Sequence, residues 1–371
     1  TLYHLIFVVK IKNNMKVCII GSGLTGLVVA KALVNQNISV DMLISKKKNK
    51  INYSRTIGLS KSNVEFFNKS IISIKDVLWK LKKIEVYTNN LRSEKILNFE
   101  NNTNEIFSII KNYKLYSLLE KNLKKNKYFR KIIQEYKLSS FQKYNLIINT
   151  DYSNQITKKY FSKKIEKKYN SFAYTTIIEH EKIDNRVATQ IFTDRGPLAF
   201  LPISKNQTSI VYSLKNSNIY KEHFVALIKR YNFKYKIKKI QKIDFFELKS
   251  LNLRSYYYKN ILAFGDLLHR IHPLAGQGFN MTIRDIKVFL KIVKHRTSLG
   301  LPLDSSINIE FEKKLKHKNF IFSNAIDLVY EFFNSQRKSN SSIVSKSIKF
   351  IGKNEKINKL LSQIADKGFI N

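Results

Sequence analysis

The sequence predicts an α/β protein in which a parallel sheet is interleaved with a separate antiparallel sheet and followed by C-terminal helices. Residues 15–44 contain a strand, a tight turn, a helix and a second strand, an order typical of parallel sheets. Residues 172–214 instead form short runs of alternating apolar and polar residues separated by polar turns. The chain has 371 residues, of which 43% are hydrophobic, so it is long enough to bury the cores of both parts.

The first tight turn carries three glycines in the pattern G-S-G-L-T-G. Gly21 follows an apolar run, and Gly23 and Gly26 lead into an Ala- and Leu-rich helix that ends near Asn35. In the dinucleotide-binding fold the first glycine permits the turn, the second admits a pyrophosphate to the backbone, and the third lets helix and strand pack closely. We therefore predict a dinucleotide site here, and the alternative is a turn with a structural role only.

The acidic residue that usually binds the adenosine ribose is missing from its place. It is expected about 20 residues further on, at the end of the second strand. Here Asp41 lies inside the predicted strand 38–44, and the strand is followed by Ser45 and the lysines 46–48. The ribose is therefore bound either by Ser45 or by backbone, and the lysine run is either a 2′-phosphate site that favours NADP or a solvated surface.

A second glycine-rich stretch, GDLLHRIHPLAGQGFN, occupies residues 265–280. The apolar run 261–264 before it predicts a buried strand. Apolar residues at helical spacing after Gly278 predict a helix that ends at Gly300. The helix N-terminus at Gly276 and Gly278 would present free amide groups to an anion or an electron-rich ring.

A metal site is the other interpretation of this stretch, because Asp266, His269 and His272 have helical spacing. Pro273 follows at once and no cysteine lies nearby, so we expect no metal. His272 is expected to orient the loop.

Several further elements follow from local patterns. They are a polar loop that turns into a helix over 54–67, a hairpin over 84–100, a helix over 105–125 and a short strand over 146–150.

The composition restricts the class of partner and the compartment. The net charge is +40, but the excess is mostly lysine spread along the whole chain, and no nucleic-acid-binding module is recognisable, so we expect no nucleic acid partner. Cys18 is the single cysteine and lies in an apolar run, which predicts a buried thiol in a reducing, cytoplasmic compartment. Residues 1–14 are expected to be unstructured or upstream read-through, and no stretch is apolar enough to span a bilayer.

Four segments together resemble the FAD-dependent aromatic-ring hydroxylases of ubiquinone biosynthesis, which are of the para-hydroxybenzoate hydroxylase type. The segments are GSGLTG at 21–26, RTIGLS at 55–60, the stretch from Ala173 through FTDRGPLAFLPIS to SIVYS, and GDLLHRIHPLAGQGFNMTIRD at 265–285. The resemblance covers nearly the whole chain from Met15. It implies a Rossmann-like FAD-binding domain, divided in sequence and interrupted by an antiparallel substrate domain.

The resemblance assigns residue ranges to these domains. Residues 15–80, 101–165 and 251–300 would form three parts of the FAD-binding domain, 81–100 and 166–250 the hairpin and sheet of the substrate domain, and 301–371 a C-terminal helical region.

The same resemblance assigns roles to individual residues. Asp266 would accept a hydrogen bond from a ribityl hydroxyl, and Arg55 would lie near the FAD phosphates. Amides at Gly278 and Phe279 would stabilise negative charge on the reduced flavin, and Pro273 and Gly276 are the candidates for the loop beside the reacting oxygen. The full set of expected FAD contacts is Gly21, Gly23, Leu24, Gly26, Ser45, Arg55, Asp151, Gly265, Asp266, Pro273, Gly276, Gln277, Gly278, Phe279 and Asn280. The substrate pocket candidates are Phe200, Leu201 and Pro202.

The resemblance implies a monooxygenase in which FAD, reduced by NAD(P)H or another donor, reacts with O₂ to give a C4a-hydroperoxide that hydroxylates a polyprenylated phenol. No side chain is identified as a nucleophile or base. The lipid substrate would bring the enzyme to the inner membrane face as a peripheral protein, attracted by its positive charge. The amphipathic segment 341–353 either makes this contact or packs on the FAD domain.

One family segment departs from its usual form. The pattern D-G-x-x-S-x-x-R stands here as DYSNQITK, so Asp151 is kept while Tyr152, Gln155 and Lys158 replace the other three residues. This leaves two alternatives, a catalytically degenerate scaffold in a biosynthetic complex and a different flavoenzyme such as a prenyl reductase or halogenase.

Overall fold

A computed structural model describes residues 16–45, 53–88, 95–100, 105–134, 141, 143–215 and 221–339. The helices are α1 (Leu24–Val34), α2 (Lys61–Phe66), α3 (Asn112–Lys124), α4 (Gln155–Tyr160), α5 (Lys221–Tyr231), α6 (Gln277–Ser298) and α7 (Ser305–Ser339). The strands are β1 (Lys16–Ile20), β2 (Ser39–Ile44), β3 (Thr56–Ser60), β4 (Leu78–Leu81), β5 (Lys83–Thr88), β6 (Lys95–Glu100), β7 (Phe107–Lys111), β8 (Phe129–Ile133), β9 (Leu146–Asn149), β10 (Lys164–His180), β11 (Val187–Thr193), β12 (Gly196–Pro202), β13 (Gln207–Lys215), β14 (Ile237–Ile240), β15 (Asp244–Leu253), β16 (Tyr257–Tyr258), β17 (Ile261–Ala263) and β18 (His269–Arg270).

A mainly parallel sheet has the strand order β16, β17, β9, β1, β2, β8. β1 lies between β2 and β9 and is parallel to both, so the predicted strand, turn, helix and strand unit is confirmed. Apolar side chains from α1, α3, α6 and α7 join those of the sheet in one buried core. Cys18 is fully buried in it, as expected.

A larger, mostly antiparallel sheet has the order β18, β15, β10, β13, β12, β11, β5, β6. The predicted hairpin is present because β5 and β6 pair antiparallel, and β5 joins the sheet beside β11. The alternating segment 172–214 also forms antiparallel strands as predicted. Helix α5 covers one face of this sheet, and the other face contacts β7 and Leu274.

A small sheet of β3, β7 and β4 corrects two predictions. Residues 107–111 are a strand, not the first turns of a helix, and α3 begins only at Asn112. Likewise 56–60 is strand β3, where a polar loop was expected before the helix. β7 lies between β3 and β4, so its β-branched residues are buried in a sheet, which outweighs the helical spacing of its apolar positions. The apolar residues of 56–60 form a strand because they pair with β7.

In the described part of the predicted C-terminal helical region, α7 spans Ser305–Ser339. α6 spans Gln277–Ser298 and packs on α7. None of the described helices is long and apolar enough to cross a bilayer. The expectations about residues 1–14, the lysines 46–48 and the segment 341–353 fall outside the described residues.

Candidate cofactor site

The carboxyl ends of β1, β9 and β17 meet at one edge of the parallel sheet. The amide of Thr150, after β9, donates to the Ile20 carbonyl, and the amide of Phe264 donates to the Asn149 carbonyl. A Cβ added at Gly265 would lie 2.8 Å from the Thr25 side chain, so the two glycine-rich stretches are in direct contact. Ligands of parallel α/β sheets bind at this edge.

The glycine turn is shaped by its own backbone at two positions and open at the third. Gly21 has φ +99°, which side chains rarely adopt, and a Cβ at Gly26 would lie 2.5 Å from the Gly21 carbonyl oxygen. Gly23 has φ −66° and ψ 171°, and a Cβ there would meet nothing within 4 Å. The protein itself therefore does not require glycine at position 23, and the open space above it is where a pyrophosphate would approach.

The N-terminus of α1 is free to bind an anion. Gly23 is its N-cap residue, no side chain caps the helix, and its first turn contains no acidic residue. The first amides of the helix, including that of Leu24, therefore have no intrahelical acceptor and add the positive end of the helix dipole.

Two aspartates border this edge in different ways. The Asp151 carboxylate accepts from the Ser153 amide at 2.9 Å and from its hydroxyl at 2.7 Å, so it fixes the turn after β9 beside Gly21. The Asp266 side chain is exposed and has no hydrogen-bond partner among the described residues. Its carboxylate is thus available to a ligand hydroxyl.

The segment 273–278 forms a short 3₁₀ turn that leads into α6. Gly276 is the N-cap residue of α6, with φ +64°, and it lies against Gly58 of β3. A Cβ at Gly278 would have only Ile271 at 3.9 Å, so the first amides of α6 are not covered by neighbouring backbone. Pro273, Gly278 and Phe279 are partly exposed, and the Gln277 side chain is buried.

Asn280 has a role that differs from the expected one. Its side chain is fully buried, and its amide nitrogen donates to the carbonyls of Gly58 at 2.9 Å and Gly276 at 3.0 Å. Its amide oxygen accepts from the Ser60 amide at 3.0 Å and from Asn63 at 2.8 Å. The Asn280 side chain therefore fastens α6 to β3, and its carboxamide is used by partners within the protein.

The two histidines of this stretch are bound within the protein. His269 contacts the Asp285 carboxylate, both groups are buried, and Asp285 also accepts from Asn319 at 3.0 Å. The His272 ring lies between the rings of Tyr169 and Tyr330, with centroid distances of 5.0 and 4.2 Å. His272 thus joins the loop to β10 and α7, in keeping with an orienting role.

Asp41 is part of the sheet core and not a ribose ligand. Its carboxylate accepts two hydrogen bonds from Arg130 at 3.0 and 2.9 Å and one from Tyr144 at 2.6 Å, and Lys16 lies 3.1 Å away. Burial alone would raise the pKa of Asp41, but these hydrogen bonds and charges hold the pKa below its ordinary value. Ser45 is exposed at the end of β2, at the same sheet edge as Gly21.

Arg55 stands at the start of β3, exposed, with its guanidinium 5.7 Å from the centre of the Phe246 ring. The preceding Ser54 holds this segment to the large sheet, since it donates to Asp244 at 2.8 Å and contacts the Thr175 hydroxyl at 3.1 Å. Arg55 therefore lies where the small and large sheets meet.

The substrate candidates divide between the two faces of the large sheet. Phe200 is buried under α5, and the centre of its ring lies 5.9 Å from that of Tyr235. This is the face of the sheet away from the 273–278 loop, so the structure corrects the assignment of Phe200 to the pocket. Leu201 packs toward Phe107 on the opposite face, and Pro202 is buried at the strand end. Alternation along β12 separates Phe200 from Leu201.

A row of small and medium side chains crosses the inward face of this sheet. The strand register places Gln190, Ala199 and Val211 side by side. They lie between the apolar cluster that contains Phe107 and the one that contains Leu274. Sequence reasoning missed these residues because alternation gives two faces without saying which one is turned inward.

Sequence reasoning also missed the residues that join the two glycine-rich stretches. Thr25 touches Gly265, and Thr150 donates from its hydroxyl to the Ile20 carbonyl at 2.9 Å. Gly58 leaves room for the Phe107 ring, because a Cβ added at this glycine would lie 2.2 Å from that ring. The glycine in RTIGLS was the available signal for this close contact.

The fold and site define an α/β protein of the FAD-dependent aromatic monooxygenase fold. The family profile described as FAD binding domain matches residues 14–76. The solved p-nitrophenol 4-monooxygenase PnpA of Pseudomonas putida DLL-E4 superposes with a TM-score of 0.76 at 11% identity, covering 96% of this chain and 100% of that one.

The chain is homologous to hydroxylases of ubiquinone biosynthesis. It is 27% identical over 177 residues to the ubiquinone hydroxylase UbiL of Rhodospirillum rubrum, covering 45% of this chain and 41% of that protein. It is 22% identical to the mitochondrial ubiquinone biosynthesis monooxygenase COQ6 of Dictyostelium discoideum, covering 92% and 88%. The aligned part of the chain spans about two fifths of the length of several other relatives, 43% and 39% in two of them.

Proposed function

We propose that the protein is an FAD-dependent monooxygenase that hydroxylates the aromatic ring of a polyprenylated phenol in ubiquinone biosynthesis. The observation that carries the proposal is a pair of helix N-termini without side-chain caps, that of α1 at Gly23, next to the contact of Thr25 with Gly265, and that of α6 at Gly276, which lies against Gly58. The homology to ubiquinone hydroxylases supports the choice of ring and pathway.

The residues at this edge fit FAD. The turn that Gly21 and Gly26 permit would bring the pyrophosphate to the backbone amides at Gly23 and Leu24, since a Cβ at Gly23 has no neighbour that would already fill the space. Asp266 would hold a ribityl hydroxyl, and Ser45 would face the adenosine ribose. Arg55 would add a charge-assisted contact to the phosphates.

When bound, FAD supplies the reaction of reduced flavin with O₂ that transfers an oxygen atom to an aromatic ring. The amides of Gly278 and Phe279 would stabilise negative charge on the ring system through hydrogen bonds and the α6 dipole. The 273–278 segment, with Pro273 and Gly276, would cover the reaction centre and exclude water. The Gln277 side chain is buried, and its amide oxygen has no hydrogen-bond partner among the described residues.

We assign the phenol ring to the inward row of Gln190, Ala199 and Val211, with Leu201 at its border. These small and medium side chains lie between two apolar clusters that contact the loop, which suits a flat apolar ring. Val211 and Gln190 are partly exposed, so the row is not closed by neighbouring protein.

NAD(P)H is the proposed reductant, and the proposed partners are the lipid-like phenol, O₂ and a membrane surface at the inner face. The exposed Tyr152 takes the position of a family glycine, and Arg270 lies 5.2 Å above its ring. This substitution favours, as a second candidate, a scaffold role without turnover.

The deciding experiment reconstitutes the purified protein with FAD and supplies NADH or NADPH, O₂ and a short-chain polyprenyl phenol. We expect coupled oxidation of the reductant and a product heavier by one oxygen atom. Complementation of strains that each lack one ring hydroxylation step then identifies the ring position. A colourless protein that co-purifies with other biosynthetic enzymes would support the scaffold, and bound FAD without ring hydroxylation would support a different flavoenzyme.

A further inference from the structure

A groove of about 660 Å³ lies between α7 and the ends of β10 and β15, bordered by residues that the proposed flavin site does not use. The α7 side contributes residues at helical spacing, and the opposite side comes from the start of β10 and the segment after β15. The lining includes Ile309, Lys313 and Phe320 on α7, and Ile165, Arg254 and Tyr257 on the opposite side.

The apolar side chains of this groove face water. Ile165, Ile309 and Phe320 are 47%, 53% and 42% exposed. Ile309 and Phe320 lie on the same face of α7, and Ile321 and Leu328, which is 73% exposed, add exposed apolar side chains on the adjoining side. Large apolar side chains that recur along one exposed helix face indicate a contact surface rather than an isolated exposed residue.

The charged side chains of the groove are mostly cationic. The lining contains the cations Arg254, Lys313 and Lys316 and a single carboxylate, that of Glu312. Glu312 is already engaged, because it accepts from the Tyr256 amide at 2.6 Å and from Lys316 at 3.0 Å. Within the described part of the chain, Arg254 and Lys313 form no ion pair, so their charge is available to an anion.

We propose that this groove binds an anionic phospholipid and that the exposed face of α7 lies on the bilayer. Arg254 and Lys313 would bind the phosphate of the headgroup, while Ile165, Ile309 and Phe320 would contact the first part of an acyl chain. Interleaved lysines and large apolar side chains on one helix face are typical of helices that lie in the membrane interface. A soluble anion would use the cations but not the apolar surface.

The other side of α7 packs on the segment beside the proposed flavin site. Phe322 packs with Ile271 and Met281, and Tyr330 packs with Leu274 in the segment beside the proposed flavin. A lipid on one side of α7 would thus hold the proposed site close to a bilayer that contains the phenol. This docking rests on the proposed function, whose membrane contact it places at the α7 groove and an anionic phospholipid.

The test measures binding of the full-length protein to vesicles of phosphatidylcholine with and without 30 mol% phosphatidylglycerol, about a third anionic lipid as a probe of charge. We expect the double variant Lys313→Glu/Arg254→Glu and the single variant Phe320→Asp each to lower binding to the anionic vesicles at least tenfold. The matched control is Lys121→Glu/Lys124→Glu, the same charge change at two exposed lysines of α3, and it should retain most of the binding. Excess inorganic phosphate should not compete for the Phe320-dependent part.

Equal losses in the α3 control and in the groove variants would overturn the proposal, because net charge alone would then explain binding. Unchanged binding by Phe320→Asp would overturn it as well, and so would full competition by phosphate. Deletion of residues 340–371 with binding retained would support the groove, whereas loss on deletion with the groove variants unaffected would assign the contact to that segment. Flavin content and oxygen transfer to a detergent-solubilised phenol, measured on the same variants, separate failure of this proposal from failure of the proposed function.

Discussion

Gly23 and Gly26 lie three residues apart in one turn, yet the structure predicts opposite effects when each is replaced by alanine. At Gly26 the new methyl carbon would lie 2.5 Å from the Gly21 carbonyl oxygen and 3.1 Å from the Thr150 hydroxyl. Backbone atoms cannot move there without strain, so Gly26→Ala should lower the free energy of unfolding by about 1–3 kcal/mol.

At Gly23 the backbone angles are ordinary and the methyl group meets no protein atom within 4 Å. The lower unfolded-state entropy of alanine and its poorer N-cap preference oppose each other, so the stability of Gly23→Ala should stay within about 1 kcal/mol of wild type. The methyl group would instead occupy the approach of the pyrophosphate. We expect the FAD dissociation constant to rise at least tenfold, a loss of about 1.4 kcal/mol.

Urea unfolding of the flavin-free proteins gives the stabilities, and quenching of flavin fluorescence gives the dissociation constants. The pyrophosphate site at Gly23 and the crowding at Gly26 are both under test. If Gly23→Ala binds FAD as tightly as wild type, the assignment is refuted, since the open space would then not be the pyrophosphate site. It is equally refuted if Gly23→Ala is the variant that unfolds more easily while Gly26→Ala is as stable as wild type.

Three further predictions concern single polar side chains. Asp266→Ala should leave stability unchanged, because the carboxylate is exposed, but weaken FAD binding by about tenfold or more through loss of a charge-assisted hydrogen bond, measured by the same titration. Asn280→Ala should cost about 2–4 kcal/mol in urea unfolding because it leaves the Gly58 carbonyl and other buried groups unpaired, and a stability equal to wild type would contradict the fastening role. Asp41 has a lowered pKa, so its stabilising contribution is complete above the ordinary carboxyl pKa of about 4 and is lost as the pH falls through the lower native value. Unfolding curves between pH 7 and about pH 2 should therefore show this acid loss in wild type and a smaller one in Asp41→Asn, which is less stable at pH 7; parallel pH profiles would contradict the assignment.

The sequence predicted those parts of the fold in which local chemistry and packing agree. Glycines at positions 21 and 26, where a side chain would be strained or crowded by backbone, indicated the turn and hence the neighbouring strand and helix. The helix that begins after Gly276 was also predicted, because apolar residues at uninterrupted helical spacing follow the second glycine-rich stretch.

Prediction failed where the deciding partner lies far away in the chain. Residues 107–110 have an apolar spacing that suits both a helix and a strand, and pairing with β3, about fifty residues earlier, selects the strand. Asn280 is adjacent to the expected cofactor contacts in sequence, but its side chain bonds to Gly58 and Ser60 of β3, far earlier in the chain. Phe200 and Leu201 differ by one position, and the covering helix α5 decides which of them is turned away from the loop.

The contact between Thr25 and Gly265 joins an early and a late part of the chain. A growing polypeptide thus has the first glycine turn early but gains the second only after most of the large sheet has been made. Any ligand that binds both the N-terminus of α1 and the N-terminus of α6 can be bound only by a nearly complete chain. Uptake of such a ligand would then report on completed assembly, and a truncation that removes either turn would abolish it even where the remaining elements fold.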